Sequence, residues 1–312
     1  MAIVNSRAAI EPKTGKAAIF VNETIHSLIR KLFSNGEQVF FHDPNDLSTM
    51  FQDAAGTVPV TGAGQPVGLL LDKSKGLTLG ANLISKPNTA LLWLKQGNNT
   101  VSQFDSETIL LTYIDNVTLG NLNLNAATLL NANISNTGWC EISLDVKVSN
   151  GFSWVQIAGI SNNNAYKVTS TEYVRLTWRC LTNVGTPSIH VFTSAGNEPT
   201  STLIKNISVK ALAGNHAYQT TSAARPILQN TPRRIDFDAI DDKLITTLPA
   251  QLTGCTVIRS VPNVGTQILA NQTIPTPYND NTDHCGLIVI NRALSPSETS
   301  AIAAEFNKRA GV

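Results

Sequence analysis

In the stretch WCEISLDVKV (139–148), Cys140, Ile142, Leu144, Val146 and Val148 fall on one parity. Trp139, Glu141, Ser143, Asp145 and Lys147 fall on the other. A strict period of two fits a strand with one buried face, whereas a helix would repeat its apolar positions every three to four residues. YVRLTWRCL (173–181) does the same, with Val174, Leu176, Trp178 and Cys180 predicted inward and Tyr173, Arg175, Thr177 and Arg179 outward. LIKNISVKAL (203–212) reads with Leu203, Ile207, Val209 and Ala211 on one face. TILLTYIDNV, NLNLNAATLL, FSWVQIAGI, AYKVT and SIHVFTS complete a set of about eight strands within residues 81–212, a spacing that predicts a jelly-roll-like β-sandwich in a mainly β protein.

The flanks follow other rules. In NETIHSLIRKLF (22–33), Ile25, Leu28, Ile29, Leu32 and Phe33 recur at helical spacing, with Asn22 placed to cap and SNG to stop the helix. Three turns do not hold alone in water, so the stripe must pack on its own chain or on a neighbouring subunit. The expectation is an inter-subunit or inter-protein contact within residues 1–40. In DPNDLSTMFQDAAGT (43–57), Asp43, Asp46 and Asp53 stand beside Pro, Ser/Thr and Ala-Gly, where carboxylates serve turns and caps. TVPVT and VGLLLDK read as a hairpin joined through residues 62–66. The C-terminal LSPSETSAIAAEFNKRAGV predicts a helix with Ser295 as cap, Pro296 at its first position, Glu298 closing a capping box and Gly311 ending it.

Composition narrows the function classes. Charged residues make up 14% and the formal net charge is +1. No basic block marks a nucleic-acid surface, and nucleic acid is not an expected partner. No apolar run reaches the ~20 residues a membrane helix needs, and MAIVNSRAAIEPKTGK lacks the continuous apolar core of a secretory leader. A soluble product made in the cytosol is expected. Asn and Thr together supply about a fifth of the chain, a diet of short strands, polar faces and tight turns. Cys140, Cys180, Cys255 and Cys285 include no CxxC pair. Buried reduced thiols are the leading expectation, with a Cys255–Cys285 or Cys140–Cys180 disulfide as the alternative.

Chemistry-bearing patterns are sparse. GxSxG, HExxH, the P-loop and the glycine-rich dinucleotide turn are all missing, and the five histidines are scattered one to a segment. No enzyme activity, cofactor or metal is expected. DFDAIDD (Asp236, Asp238, Asp241, Asp242) and YNDNTDHC (Asn279, Asp280, Asn281, Asp283, His284) are the oxygen-rich loops. A calcium ion bridging them is the alternative to solvated loops, although Ile290 stands where a calcium loop ends in Glu.

FHDPNDLSTMFQDAAGTVPVTGAGQPVGLLLDKSKG (41–76) resembles a block of tailed-bacteriophage virion structural proteins of the tail or tail-fibre type, reading D-P-x-D-L-S-T-x-F-Q-D, then GQPVG, then LDKS. GNHAYQTTSAARPIL resembles that family's arm leading to a C-terminal concanavalin/laminin-G-like module. FDAIDDKL and GLIVINRALSPSETSAIAAEFNKRAGV resemble the module's two ends. They lie too close together for a complete sandwich, so an abbreviated α+β module is expected. The middle segment is similar in pattern to carbohydrate-binding modules.

The resemblance implies a virion component, tail-associated as fibre, adaptor or appendage, with other virion proteins as partners and a homo-oligomer, a trimer by analogy. A receptor-binding lectin for host surface glycan is the alternative, and a capsid or neck decoration protein another. The implied divisions are an arm and helix (1–40), a docking block (41–80), the sandwich (81–212), a linker arm (213–232) and a small C-terminal module (233–312). Contact candidates on the sandwich are Trp139, Glu141 and Tyr173. Trp139 has polar parity, and the readings are a strand-end residue, a subunit contact or a ligand platform. Cover by protein is the expectation, because a sugar platform shows several aromatics together and this strand offers one.

Overall fold

The computed structural model describes residues 25–83, 88–90, 93–95, 99–113, 121–124, 138–158, 165–182, 188–192 and 201–312. Helix α1 (Ile25–Leu32) leads into β1 (Val39–His42), β2 (Met50–Phe51), β3 (Leu69–Leu70), β4 (Leu79–Asn82), β5 (Trp93–Lys95), β6 (Asn99–Gln103), β7 (Thr108–Tyr113) and β8 (Asn121–Leu124). There follow β9 (Trp139–Val148), β10 (Ser153–Ala158), β11 (Ala165–Val168), β12 (Val174–Leu181), β13 (Ser188–Phe192) and β14 (Ser201–Leu212). The chain continues through β15 (Ala217–Tyr218), β16 (Ile227–Asn230), β17 (Arg233–Asp236), β18 (Leu244–Thr246), β19 (Leu252–Val261), β20 (Gly265–Ile274), β21 (Tyr278–Asp280) and β22 (Leu287–Ile290). Helix α2 (Pro296–Ala310) ends it. The protein is mainly β.

The middle of the chain is a β-sandwich. One sheet runs β12-β9-β14-β7-β6, with β4 also on β14, and the other runs β11-β10-β13-β8-β5. Leu144, Val146, Trp178, Val155, Ile157, Ile189 and Val191 share the core between them. The expected register of β9 and β12 holds, with Leu176 facing Leu144 and Trp178 facing Ile142. Leu176 is buried, Arg175 exposed, and Lys147 and Arg179 half-buried. In β14 the expected face is wrong over its first half. Ile204, rather than Leu203, is buried with Ile207 and Val209. The ladder with β9 shifts between Lys205 and Ser208, and Asn206 sits there at φ 52°. A β-bulge inserts one residue and so exchanges the two faces. Ala211 is exposed as well.

The division into a docking block, a free arm and an abbreviated module does not hold. β1 pairs with β22, so that Phe40 faces Val289 and Phe41 faces Ile288, in the sheet β1-β22-β19-β20. β3 pairs with β15 of the supposed linker, in the sheet β2-β3-β15-β18-β21. The strands that seemed missing from the C-terminal module come from residues 39–70, and the sandwich is inserted between the two halves. β3 takes β2 as its hairpin-side partner, and Pro59 makes only an isolated bridge to Phe51.

Helix α1 finds its partner in the same chain. Leu28, Ile29, Leu32 and Phe33 are buried with Phe41, Ile258, Ile288, Ile302 and Phe306, and Ile25 packs against them. The stripe is therefore covered by α2 and the β1–β22 sheet, and these five residues do not form the expected surface for a neighbouring subunit. Asn22 lies outside the described residues. Helix α2 carries Ser295 as cap with a complete capping box to Glu298, and Gly311 closes it at φ 86°. All four cysteines are buried free thiols, although Cys140 and Cys180 face each other across β9 and β12.

Candidate functional site

Trp139 marks the joint between sandwich and split module. It pairs in register with Leu181 and Leu212 on the sheet face away from the sandwich core. Phe51, Leu69 and Leu71 cover all three. Its ring is 4% exposed, edge-on to His216 and Tyr218 at 5.0 and 5.8 Å. An open sugar platform at Trp139 is thereby excluded. Glu141, two residues along the same face, pairs with Arg179 at 3.2 Å. The Arg179 guanidinium lies 4.5 Å over Phe51 and donates to the Gly56 carbonyl, while the Arg179 backbone N–H donates to the Ala55 carbonyl. The DAAG turn thus grips strand β12.

Asp46 and Asp53 serve their own turns, whereas Asp43, besides accepting from the Asn45 N–H, is paired with the distant Lys73 and Arg309, a role beyond the expected turn. Asp46 accepts from the Ser48 N–H and hydroxyl, and Asp53 accepts from the Thr57 and Val58 N–H groups. Burial disfavours the charged form of Asp43, but Arg309 and Lys73 outweigh it and hold the carboxyl below its usual range. Lys73 also reaches Asp46 at 2.8 Å. A cavity of about 460 Å³ lined by His26, Ile29, Arg30, Phe41 and Lys73 lies between α1 and this block.

Asp72 is the hub of the joint. It is fully buried and accepts from the N–H groups of Phe41, Ser74 and Asn215 and from the Ser74 hydroxyl, at 2.7–2.9 Å. Burial pushes its carboxyl up to about 6, with those donors pulling the other way. The Asp72 N–H donates to His216 Nδ1 at 2.8 Å, and burial takes His216 down to about 3. Gly214, at φ 130°, passes so close that a Cβ would stand 3.0 Å from Asp72 Oδ2. Gly68 has the same constraint, since a Cβ there would meet the Gln52 carbonyl oxygen at 2.6 Å.

The two acidic loops also meet, and Arg234 takes the bridging position, 2.9 Å from Asp236 and 3.9 Å from Asp283. Asp238 accepts from the N–H groups of Ile240, Asp241 and Asp242, an Asx-type turn. Asp238, Asp241 and Asp242 come close enough together to hold a cation, but exposed acidic turns do so without one. Asp280 turns inward to Arg259 at 2.9 Å. His284 Nε2 lies 2.9 Å from Asp280 Oδ2 without hydrogen-bonding geometry.

The second sheet also has a face that points away from the sandwich core. In β10, Ser153, Val155 and Ile157 are buried, leaving Trp154 and Gln156 half-buried on the outer side. In β13, Ile189 and Val191 are buried and His190 and Phe192 face out. Register sets Lys167, Trp154 and Phe192 in one row across β11, β10 and β13, with Gln156 beside His190 in the next row. The Phe152 ring stands edge-on to Trp154 at 6.4 Å. Lys167 Nζ lies 4.1 Å over Phe152 and 6.0 Å from Trp154. Burial lowers the His190 pKa, favouring its neutral form.

Of the sequence candidates, then, Trp139 and Glu141 belong to the joint, and Tyr173 lies under the ammonium groups of Lys147 and Lys205 at 4.8 and 4.0 Å. Trp154 and Phe192 were not singled out. Their signal was present, because FSWVQIAGI and SIHVFTS put Trp154 and Phe192 on the parity opposite Val155, Ile157, Ile189 and Val191.

No family model matches the chain, and no curated protein matches it. Among solved structures it is similar to a mutant of the family 29 carbohydrate-binding module CBM29-2 complexed with cellulohexaose, at 14% identity and TM-score 0.30, over 42% of this chain and 89% of that one. The xylan-binding CBM22-1 domain of Paenibacillus barcinonensis Xyn10C gives 15% and 0.33, over 43% and 97%. The enzymatically active domain of bacteriophage CBA120 tailspike protein 4 gives 10% and 0.33, over 42% of this chain and 21% of that one. Scores of this size are not evidence of a shared site or activity.

Proposed function

We propose that this protein is a non-enzymatic structural component of a tailed-bacteriophage virion, tail-associated, which presents its inserted sandwich from the split module and works among other virion proteins as a homo-oligomer. The observation that carries this is the interlock of the two blocks that resemble the virion family. Asp72 of LDKS holds Asn215 of GNHAY, and His216 of GNHAY holds Asp72. These bonds close the split module at the point where the sandwich leaves and re-enters it, which suits a rigid display part. Mass spectrometry of gradient-purified particles tests it. The chain should be present in fixed ratio to the tail proteins, and its absence from infectious particles refutes the proposal.

A second reading, a lectin for host surface glycan, is favoured by the Trp154–Phe192 row. Two outward aromatics on adjacent strands, with Gln156 in the next row, offer flat apolar surface beside a hydrogen-bonding amide. A glycan array with the purified protein and its Trp154→Ala variant tests this: signal lost in the variant supports it, and no signal from the parent protein refutes it.

A further inference from the structure

The aromatic row on the outer face of β10, β11 and β13 ends in a positive charge. Lys167 is exposed, stands in register with Trp154, and has its ammonium drawn over the Phe152 ring at 4.1 Å. A cation held over an aromatic face loses little further freedom when it takes an anion. Lys167 makes no ion pair among the described residues, and unlike Lys147 and Lys205, which share the Tyr173 ring, it stands beside an aromatic row. The five strands of this sheet, WLK, NLNL, SWVQIA, AYKV and SIHVF, contain no Asp or Glu. Nothing in them competes for the Lys167 charge or repels an incoming anion.

The rest of the face is uncharged and amphipathic. Trp154 and Phe192 sit one strand apart, roughly 5 Å, a spacing comparable with the width of a sugar ring. Gln156 supplies both donors and an acceptor, matching hydroxyl groups at a ring edge. We infer that this face selects an acidic glycan, with sugar rings lying on Trp154 and Phe192 and a carboxylate of the chain paired with Lys167. The inference rests on the lectin reading and adds the charge of the ligand to it.

The test uses the full-length protein and bacterial surface polysaccharides rich in uronic acid, each in native and carboxyl-reduced form, measured by titration calorimetry at low salt. The expected result is binding to native polysaccharide that falls roughly fivefold on carboxyl reduction. Lys167→Gln, an exposed change that leaves the core untouched, should lower native binding by the same factor and leave the reduced form unaffected. Trp154→Ala should lose both, with a melting curve confirming that the sandwich is folded, and Gln156→Ala provides a second face variant. Equal binding of native and reduced forms, unchanged by Lys167→Gln, overturns the acidic preference and leaves the lectin reading standing. No binding of either form at any concentration reached overturns both.

Discussion

The Nδ1 of His216 accepts a hydrogen bond from the backbone N–H of Asp72 at 2.8 Å, across a separation of 144 residues. The whole sandwich lies between these two positions in sequence. Asp72 completes the clasp by accepting from the Asn215 N–H, so the entry and exit of the insertion are tied together at one buried point. A tie of this kind fixes the orientation of an inserted module without a long linker.

Asp72→Asn tests that tie. An amide nitrogen would face backbone N–H groups that now meet a carboxylate oxygen, leaving at least one buried donor unsatisfied. The expected cost is about 2–4 kcal/mol in chemical denaturation. A change of a few tenths would show that the hub is dispensable.

Acid should weaken the fold between pH 6.5 and about 4. Burial lowers His42 to about 4 and His216 to about 3, so the unfolded chain takes up protons before the folded one does. Stability is then full above the unfolded histidine pKa and falls as pH drops. His42 alone accounts for roughly 3 kcal/mol over this window at about 1.4 kcal/mol per pKa unit. Asp72, raised to about 6, acts with the opposite sign between about 4 and 6 and is outweighed by the two histidines. Denaturation midpoints at pH 7.5, 6 and 4.5 should descend, and a flat series would contradict the burial of neutral imidazoles.

Leu32→Asp places a charge at a fully buried position against Phe306 and Ile302. It should unfold or severely destabilise the split module, by more than about 3 kcal/mol, even in the isolated monomer. A folded, stable variant that only failed to assemble would restore the subunit-contact reading of this helix.

Trp139→Ala removes the largest side chain of the joint cluster. The expected loss is about 3–5 kcal/mol by thermal or chemical melting, with glycan binding unchanged, since Trp139 and Trp154 lie in different sheets of the sandwich. Unchanged stability would mean that the joint does not depend on this contact.

The strands were legible because alternation is a local signal: Leu144, Val146, Leu176 and Trp178 each declared their side within a few residues. The face of Leu203 was not, because one Asn at positive φ reverses parity and its effect appears only in the ladder to β9. Asn206 is a residue type that tolerates that conformation, yet nothing in KNIS forces it. The split module was hidden for another reason. Pairing Phe40 with Val289 is a tertiary choice between distant segments, so the block looked like a docking arm and the C-terminal half looked short. Trp139 was correctly expected to be covered by protein, but the covering residues, Leu69, Leu71 and Tyr218, lie in segments that no local pattern ties to it. Trp154 carried the same parity conflict, and among the described residues it is only half-buried, against Phe152 and Lys167.

The most direct measurement of the central claim is electron microscopy of purified virions labelled with antibody fragments raised against the sandwich. The account predicts label on the tail, at regular positions set by the oligomer. Infectious particles that carry no label, with the protein confined to the lysate, would contradict it.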